Sequence, residues 1–269
     1  MTFTTVIDNL YVPYQPKLSA ETIAKLKSMV KIWTSFNKNT SDNGKCYRAQ
    51  MFKPKSERTF WIDKVIPIFQ SIGDQTGLLG FEWCEKIPQS HVQSVMDTDA
   101  WKLGTSRNVD GLGYNLYDED LFVLEASSGQ DKEDITHTKD DTLKNIHSSI
   151  SILNALVRKF QDGRFSTATN LRTFSVQSVC STITLCSTSF DPDNIGGYIH
   201  EELRFADIPM TYNDRYKWLK VFELVAKLVG MLRKQTIVHR QLLKEHTGAA
   251  PVDEMESIKL IFSTKIPLH

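Results

Sequence analysis

The sequence predicts an α/β (α+β) fold, a mixed central sheet flanked by helices. Two observations carry this reading. Long segments with apolar residues at 3-4 spacing, most clearly residues 138–160, alternate with short strand-like runs such as Leu121 to Ala126. After residue 50 the predicted order is helix, strand, strand, strand, helix, strands, helix, which suits a sheet covered by helices. No internal repeat, low-complexity tract or convincing linker interrupts that order. We therefore expect an N-terminal helical extension over residues 1–45 and one main domain over 46–269.

Residues 1–18 hold two prolines and little periodicity, so they read as an arm. Ser19-Ala20-Glu21 opens a helix to about Thr34, with Ile23, Leu26, Met29, Val30 and Trp33 at helical spacing. Residues 37–50 are a polar loop rich in turn formers. A second helix starts at Ser56-Glu57 and places Phe60, Trp61, Val65, Ile68, Phe69 and Ile72 on one side. Pro67 should kink or split it, and the stretch Gly73 to Gly77 ends it. Residues 78–84 can form a strand, followed by a long loop over about 85–107. A hairpin comes next: a strand near 108–117, a turn at Asp118-Glu119-Asp120, and a buried strand over 121–127. The helix over 138–160 aligns Leu143, Ile146, Ile150, Leu153, Val157 and Phe160, and stops at Asp162-Gly163. Residues 172–180 and 182–189 alternate as a hairpin, and another strand runs from Tyr198 to Phe205. A last helix spans about 213–239, with Tyr216, Leu219, Phe222, Val225, Val229 and Leu232 inward. Ile258 to Phe262 reads as a final strand.

The bulk numbers narrow the class without naming an activity. With 32 basic and 32 acidic residues the formal net charge is zero, so no global positive field steers a polyanion to this chain. A local basic face stays open. No apolar run is long enough to span a bilayer, and the N-terminus lacks a basic segment followed by a hydrophobic one. The four cysteines, Cys46, Cys84, Cys180 and Cys186, have no paired CxxC spacing and read as reduced thiols. These features point to an intracellular protein, nuclear or cytoplasmic, with no membrane partner.

One acidic pair stands out. Asp110 closes one apolar-leading segment, and Glu125 lies inside a run too apolar to hold a charge cheaply. Glu125 needs a partner, and a divalent cation shared with Asp110 is one candidate. Neighbouring strands of a hairpin can aim both carboxylates at one face. The backbone carbonyl of Ala126 adds a third oxygen, and Glu57 on the preceding helix can complete the shell directly or through water. The competing reading makes these acids turn and cap residues, with Glu57 a first-turn acid favoured by the helix dipole.

Ser56-Glu57 on a helix, Val109-Asp110, Glu125-Ala126-Ser127 on a buried strand and then a long helix together resemble the PD-(D/E)XK nuclease superfamily. More closely, the chain is similar to a group of uncharacterised fungal proteins of that type. The later segment Gly196 to Phe205 and the apolar final helix share that similarity, which covers about residues 50–240. The resemblance implies a restriction-endonuclease-like fold and hydrolysis of phosphodiester bonds in nucleic acid, DNA ahead of RNA. It implies Mg²⁺ or Mn²⁺ held by Asp110, Glu125 and the Ala126 carbonyl, with Glu57 as the helix acid. It also makes position 127 the place of the catalytic lysine, where this chain has Ser127. Lys144 on the next helix or Lys132 in the intervening loop can take over that role. Gln130 or Ser127 can position water without a charge. The third possibility is a nuclease-fold domain that binds nucleic acid or protein without cutting.

Other features resolve without chemistry. The seven histidines show no metal spacing, Gly111 and Gly113 do not form a phosphate loop, and Cys180 and Cys186 read as packed strand residues. Lys102, Arg107, Lys132, Lys139 and Lys144 gather near the acids in sequence and can meet phosphates or simply stay solvated.

Overall fold

A strand whose every residue is buried, Asp120–Ala126, lies inside the sheet and explains why its sequence does not alternate. The computed structural model describes residues 57–90, 96–97, 102–103, 108–128, 134–211 and 213–265. All of them belong to one unit, Pro54–His269. The expected N-terminal extension with its helix over 19–34 and loop over 37–50 lies outside the described residues, as do Gln130 and Lys132.

The chain enters through α1 (Glu57–Phe60), a π-helical turn at Trp61–Val65, and α2 (Ile66–Thr76). The sequence predicted a kink or split at Pro67. The helix instead widens by one turn, in which the Ile66 amide donates to the Trp61 carbonyl. Pro67 has no amide hydrogen and its ring crowds the carbonyl four residues back, which a wider turn relieves. Gly77, at φ 62°, supplies the left-handed residue that stops α2.

The strands are β1 (Gly80–Lys86), the short pair β2 (Met96–Asp97) and β3 (Lys102–Leu103), β4 (Val109–Tyr114) and β5 (Asp120–Ala126). The expected loop over 85–107 thus contains a small two-stranded sheet of its own. Next come α3 (Ile135–Arg158), the short α4 (Phe165–Ala168), β6 (Arg172–Val179), β7 (Thr182–Phe190) and β8 (Tyr198–Asp207). A 3₁₀ turn at Asn213–Lys217 leads into α5 (Trp218–His246), and another at Glu254–Glu256 precedes α6 (Ile258–Lys265).

The main sheet is mixed and six-stranded, in the order β1-β4-β5-β6-β7-β8. Every pairing is antiparallel except β5 with β6, which α3 connects as a crossover. Helix α3 lies on the face carrying Glu125 and Gln177, where Lys144 meets Glu125 and Thr142 meets Gln177. The α1–α2 segment covers the opposite face, with Phe69 and Phe122 rings 5.6 Å apart. Gly111 and Gly113 belong to this face of β4. A Cβ on Gly111 would come within 2.8 Å of the Trp83 ring, so glycine there allows close packing. No helix among the described residues is long and apolar enough to cross a membrane.

Three expectations change. Ile258 to Phe262 is helical, because Ile258, Ile261 and Phe262 must turn together onto the cluster of Phe165, Phe190 and Leu242. Helix α5 runs on to His246 and buries Val221, Leu224, Val225, Leu228, Val229, Leu232, Gln235 and His239. Tyr216, expected inward, is 68% exposed. Cys180 occupies the β6–β7 turn at φ 52°.

Candidate functional site

The site begins where two paired strands part. The β4–β5 ladder ends at Gly111 opposite Leu124. Beyond that point the Ala126 amide donates to the Asp110 carboxylate (2.9 Å) in place of a main-chain carbonyl. Asp110 is thereby fixed between the strand ends, half-buried, with its second oxygen outside this bond.

Glu125 is 1% exposed in the middle of the apolar strand. Its Oε2 accepts from Lys144 Nζ at 3.1 Å, while its Oε1 is buried with no hydrogen-bond partner. Burial pushes its pKa up to about 8; Lys144 pulls against this shift and Asp110 adds to it. An orphaned carboxylate oxygen of this kind is where a proton or a cation belongs.

Lys144 reaches the strand from α3, and its ammonium also sits 2.9 Å from Asp141 Oδ1. Burial alone would lower the Lys144 pKa, but Asp141 and Glu125 together raise it, so it is charged beside Glu125. Asp141 is itself 1% exposed, and its Oδ2 stands 3.4 Å from His137 Nε2. His137 also approaches Glu57 at 4.0 Å. Burial raises the Glu57 pKa, His137 opposes the shift, and Asp110 and Asp141 add to it. The helix acid therefore belongs to the same charge cluster.

The first turn of α3 is held by a cap absent from the expected boundaries. Asp134 accepts from the amides of Thr136 and His137 at 3.0 and 3.2 Å, starting the helix three residues before the expected position. The cap sets the register in which His137, Asp141 and Lys144 fall on one side. A shallow cleft lies beside them, lined by Glu57, Arg58, Trp61, Ile62, Cys84, Asp110 and Ala126.

The structure thus gathers Glu57, Asp110, Glu125, Ala126 and Lys144 at one place. Ser127 is adjacent but committed elsewhere: it is fully buried, and its Oγ accepts from Gln177 Nε2 at 2.8 Å. Sequence reasoning missed Asp141 and His137. Their signal was present, since Asp141 is three residues before Lys144 and His137 four before Asp141, the spacing of neighbours on one helix face.

The donor set fits a hard cation. Two carboxylates and main-chain oxygen suit Mg²⁺ or Mn²⁺, which keep several waters and need few protein ligands. Among the described residues, no group of three or more His, Cys, Asp or Glu side chains is arranged to hold a metal ion. No family model, curated protein or solved structure matches the chain.

Proposed function

We propose that the protein is a metal-dependent phosphodiester hydrolase on a restriction-endonuclease-like scaffold, acting on nucleic acid, DNA ahead of RNA. The observation that carries this reading is Lys144 Nζ 3.1 Å from a buried Glu125 whose other oxygen has no partner. A lysine beside two metal-type acids is the set that such chemistry needs, and here α3 supplies the amine that the strand lacks at Ser127.

Asp110, Glu125 and the Ala126 carbonyl would hold Mg²⁺ or Mn²⁺. The bound ion would polarise the phosphate, lower the pKa of a bound water and stabilise the leaving oxygen. The protein's own groups do the rest. Lys144 has three N–H groups, of which Glu125 and Asp141 engage two. The third can orient the attacking water or meet charge developing on the phosphoryl oxygens. Asp141 fixes the direction of that amine. Glu57, whose pKa burial raises, can hold a water at the rim.

A second reading has its own support. Lys144 already pairs with both Glu125 and Asp141, so the cluster holds an internal cation of its own. In that reading the domain is a catalytically inactive nuclease-fold module that binds nucleic acid or protein.

The test is incubation with supercoiled DNA, single-stranded DNA and RNA, in Mg²⁺ or Mn²⁺, beside Asp110→Ala, Glu125→Ala and Lys144→Met. Cleavage by the parent protein, and by none of the variants, is expected. Cleavage that survives the Asp110 and Glu125 changes sinks catalysis at this site. No cleavage, with binding that weakens steeply in salt, selects the inactive module.

A further inference from the structure

The cleft is bordered by one residue whose surroundings stability does not explain. Arg58 follows Glu57 directly and lines the same cleft as Asp110 and Ala126. Its Nη2 donates to Glu85 Oε1 at 2.8 Å, and both side chains are mostly in water, at 66% and 59% exposure. An ion pair so exposed contributes little to folding.

The backbone that presents Glu85 is strained. Cys84 and Glu85 have φ of 67° and 53°, two consecutive non-glycine residues in the left-handed region. They interrupt the ladder between β1 and β4, whose register shifts between Trp83 and Lys86. A regular strand would avoid the strain and complete the ladder. The weak exposed pair offsets little of that strain, and the bulge sets where Glu85 meets Arg58.

We infer that Arg58 grips a phosphate of the nucleic-acid strand entering the cleft, with Glu85 as its resting partner that yields when the phosphate arrives. The inference rests on the phosphodiester reading above. A guanidinium donates to carboxylate and phosphate oxygens alike, so Glu85 Oε1, which accepts from Arg58 Nη2, stands where a phosphate oxygen would. The pairing holds Arg58 at the cleft that Asp110 also lines and lowers affinity, since each incoming phosphate must displace a carboxylate.

Fluorescence anisotropy in EDTA tests this without any cleavage. Labelled single-stranded DNA, duplex DNA and RNA oligonucleotides are titrated from about 50 to 200 mM salt against the parent protein, Arg58→Ala, Arg58→Lys, Glu85→Gln and the Arg58→Ala/Glu85→Gln double variant. For the oligonucleotide the parent prefers, Arg58→Ala should weaken binding and lower the salt slope by about one. Arg58→Lys should keep the slope and lose part of the affinity. Glu85→Gln should bind more tightly, and that gain should vanish in the double variant. Parental affinity and slope in Arg58→Ala, no gain in Glu85→Gln, or a gain that persists without Arg58 overturns the inference. A parent protein that binds none of the oligonucleotides overturns it as well. Thermal melts of each variant separate lost binding from lost folding. Cleavage in Mg²⁺ is read separately: a parent that shows these binding responses but never cuts loses the catalytic reading and keeps the phosphate grip.

Discussion

Gln177 stands beside Glu125 in the parallel register of β5 and β6, and its amide ties the acid strand to the first turns of α3. Its Nε2 donates to Ser127 Oγ and to the Thr138 carbonyl, each at 2.8 Å. Its Oε1 accepts from Thr142 Oγ1 at 2.9 Å. Every polar atom of this side chain is engaged, and three of its bonds end on the helix or strand that carry Lys144 and Glu125.

This arrangement makes Ser127 a structural acceptor. Ser127→Ala should cost about 1 kcal/mol, since Gln177 keeps its bond to Thr138, and should leave cleavage and binding unchanged. Gln177→Leu removes the donor to Ser127 Oγ, while Thr142 Oγ1 and the Thr138 carbonyl keep their bond to each other, and should cost about 1–3 kcal/mol. Ser127→Lys should not improve cleavage, because the position is sealed and an added ammonium would be buried there. Urea unfolding and cleavage assays check all three. A loss of cleavage in Ser127→Ala at intact stability would return Ser127 to the catalytic set.

Glu125 links stability to pH and to metal. Its folded pKa is raised from 4.5 to about 8, so between those values the folded protein binds more protons than the unfolded chain. Stability should therefore fall as pH rises through this window, by at most about 1.4 kcal/mol per pH unit, and level off above it. In EDTA, Glu125→Gln should flatten the dependence between pH 5 and pH 9 by roughly that slope. Added Mn²⁺ should stabilise the parent protein more at high pH, where the carboxylate is free to ligate. Thermal melts with and without metal decide this, and equal pH slopes in the parent and Glu125→Gln would contradict it.

A second buried acid behaves in the opposite sense. Glu119, at the β4–β5 turn, meets His239 of α5 at 3.0 Å, Lys159 at 3.1 Å and Asn115 at 2.8 Å. Burial would raise its pKa, but bonds to His239, Asn115 and Lys159 outweigh it and bring it down to about 2. Stability from this group is present above about pH 4.5 and lost as pH falls towards 2. Glu119→Gln should thus be less stable than the parent at pH 6, with the gap closing near pH 2. His239→Ala should be more harmful than a surface change, because Glu119 then stays buried with fewer partners. Denaturation curves at the two pH values measure the gap; a gap that does not narrow in acid refutes the assignment.

The fold was legible wherever apolar periodicity matched burial. Leu153 and Val157 are buried as their spacing requires, and the hairpin of β6 and β7 falls where alternation placed it. The first half of α3 was not legible in that way. Leu143 is 55% exposed, while Asp141, Asn145, Ser148 and Ser149 are buried. Those polar residues lie over a part of the sheet that is itself polar: Asn145 donates to the Val176 carbonyl, and Thr173 Oγ1 donates to the Ser149 carbonyl. A hydrophobic stripe cannot reveal a face buried by hydrogen bonds. For the same reason the acids of the site were visible as misplaced charges, whereas His137 and Asp141 needed the helix register that only the Asp134 cap defines.

The wide turn at Trp61–Val65 has a geometric consequence for this site. One residue beyond a regular turn advances a helix by about 100°. Everything before Trp61 is therefore rotated by that angle relative to the side that buries Ile68, Phe69 and Ile72. The irregularity works as an index mark, setting the heading of Glu57 and Arg58 independently of how α2 packs. Removing one residue from the turn would leave the buried side of α2 intact and swing the acid and the guanidinium by more than a quarter revolution. The aim of the cleft is thus set by a backbone count, one that no single side chain records.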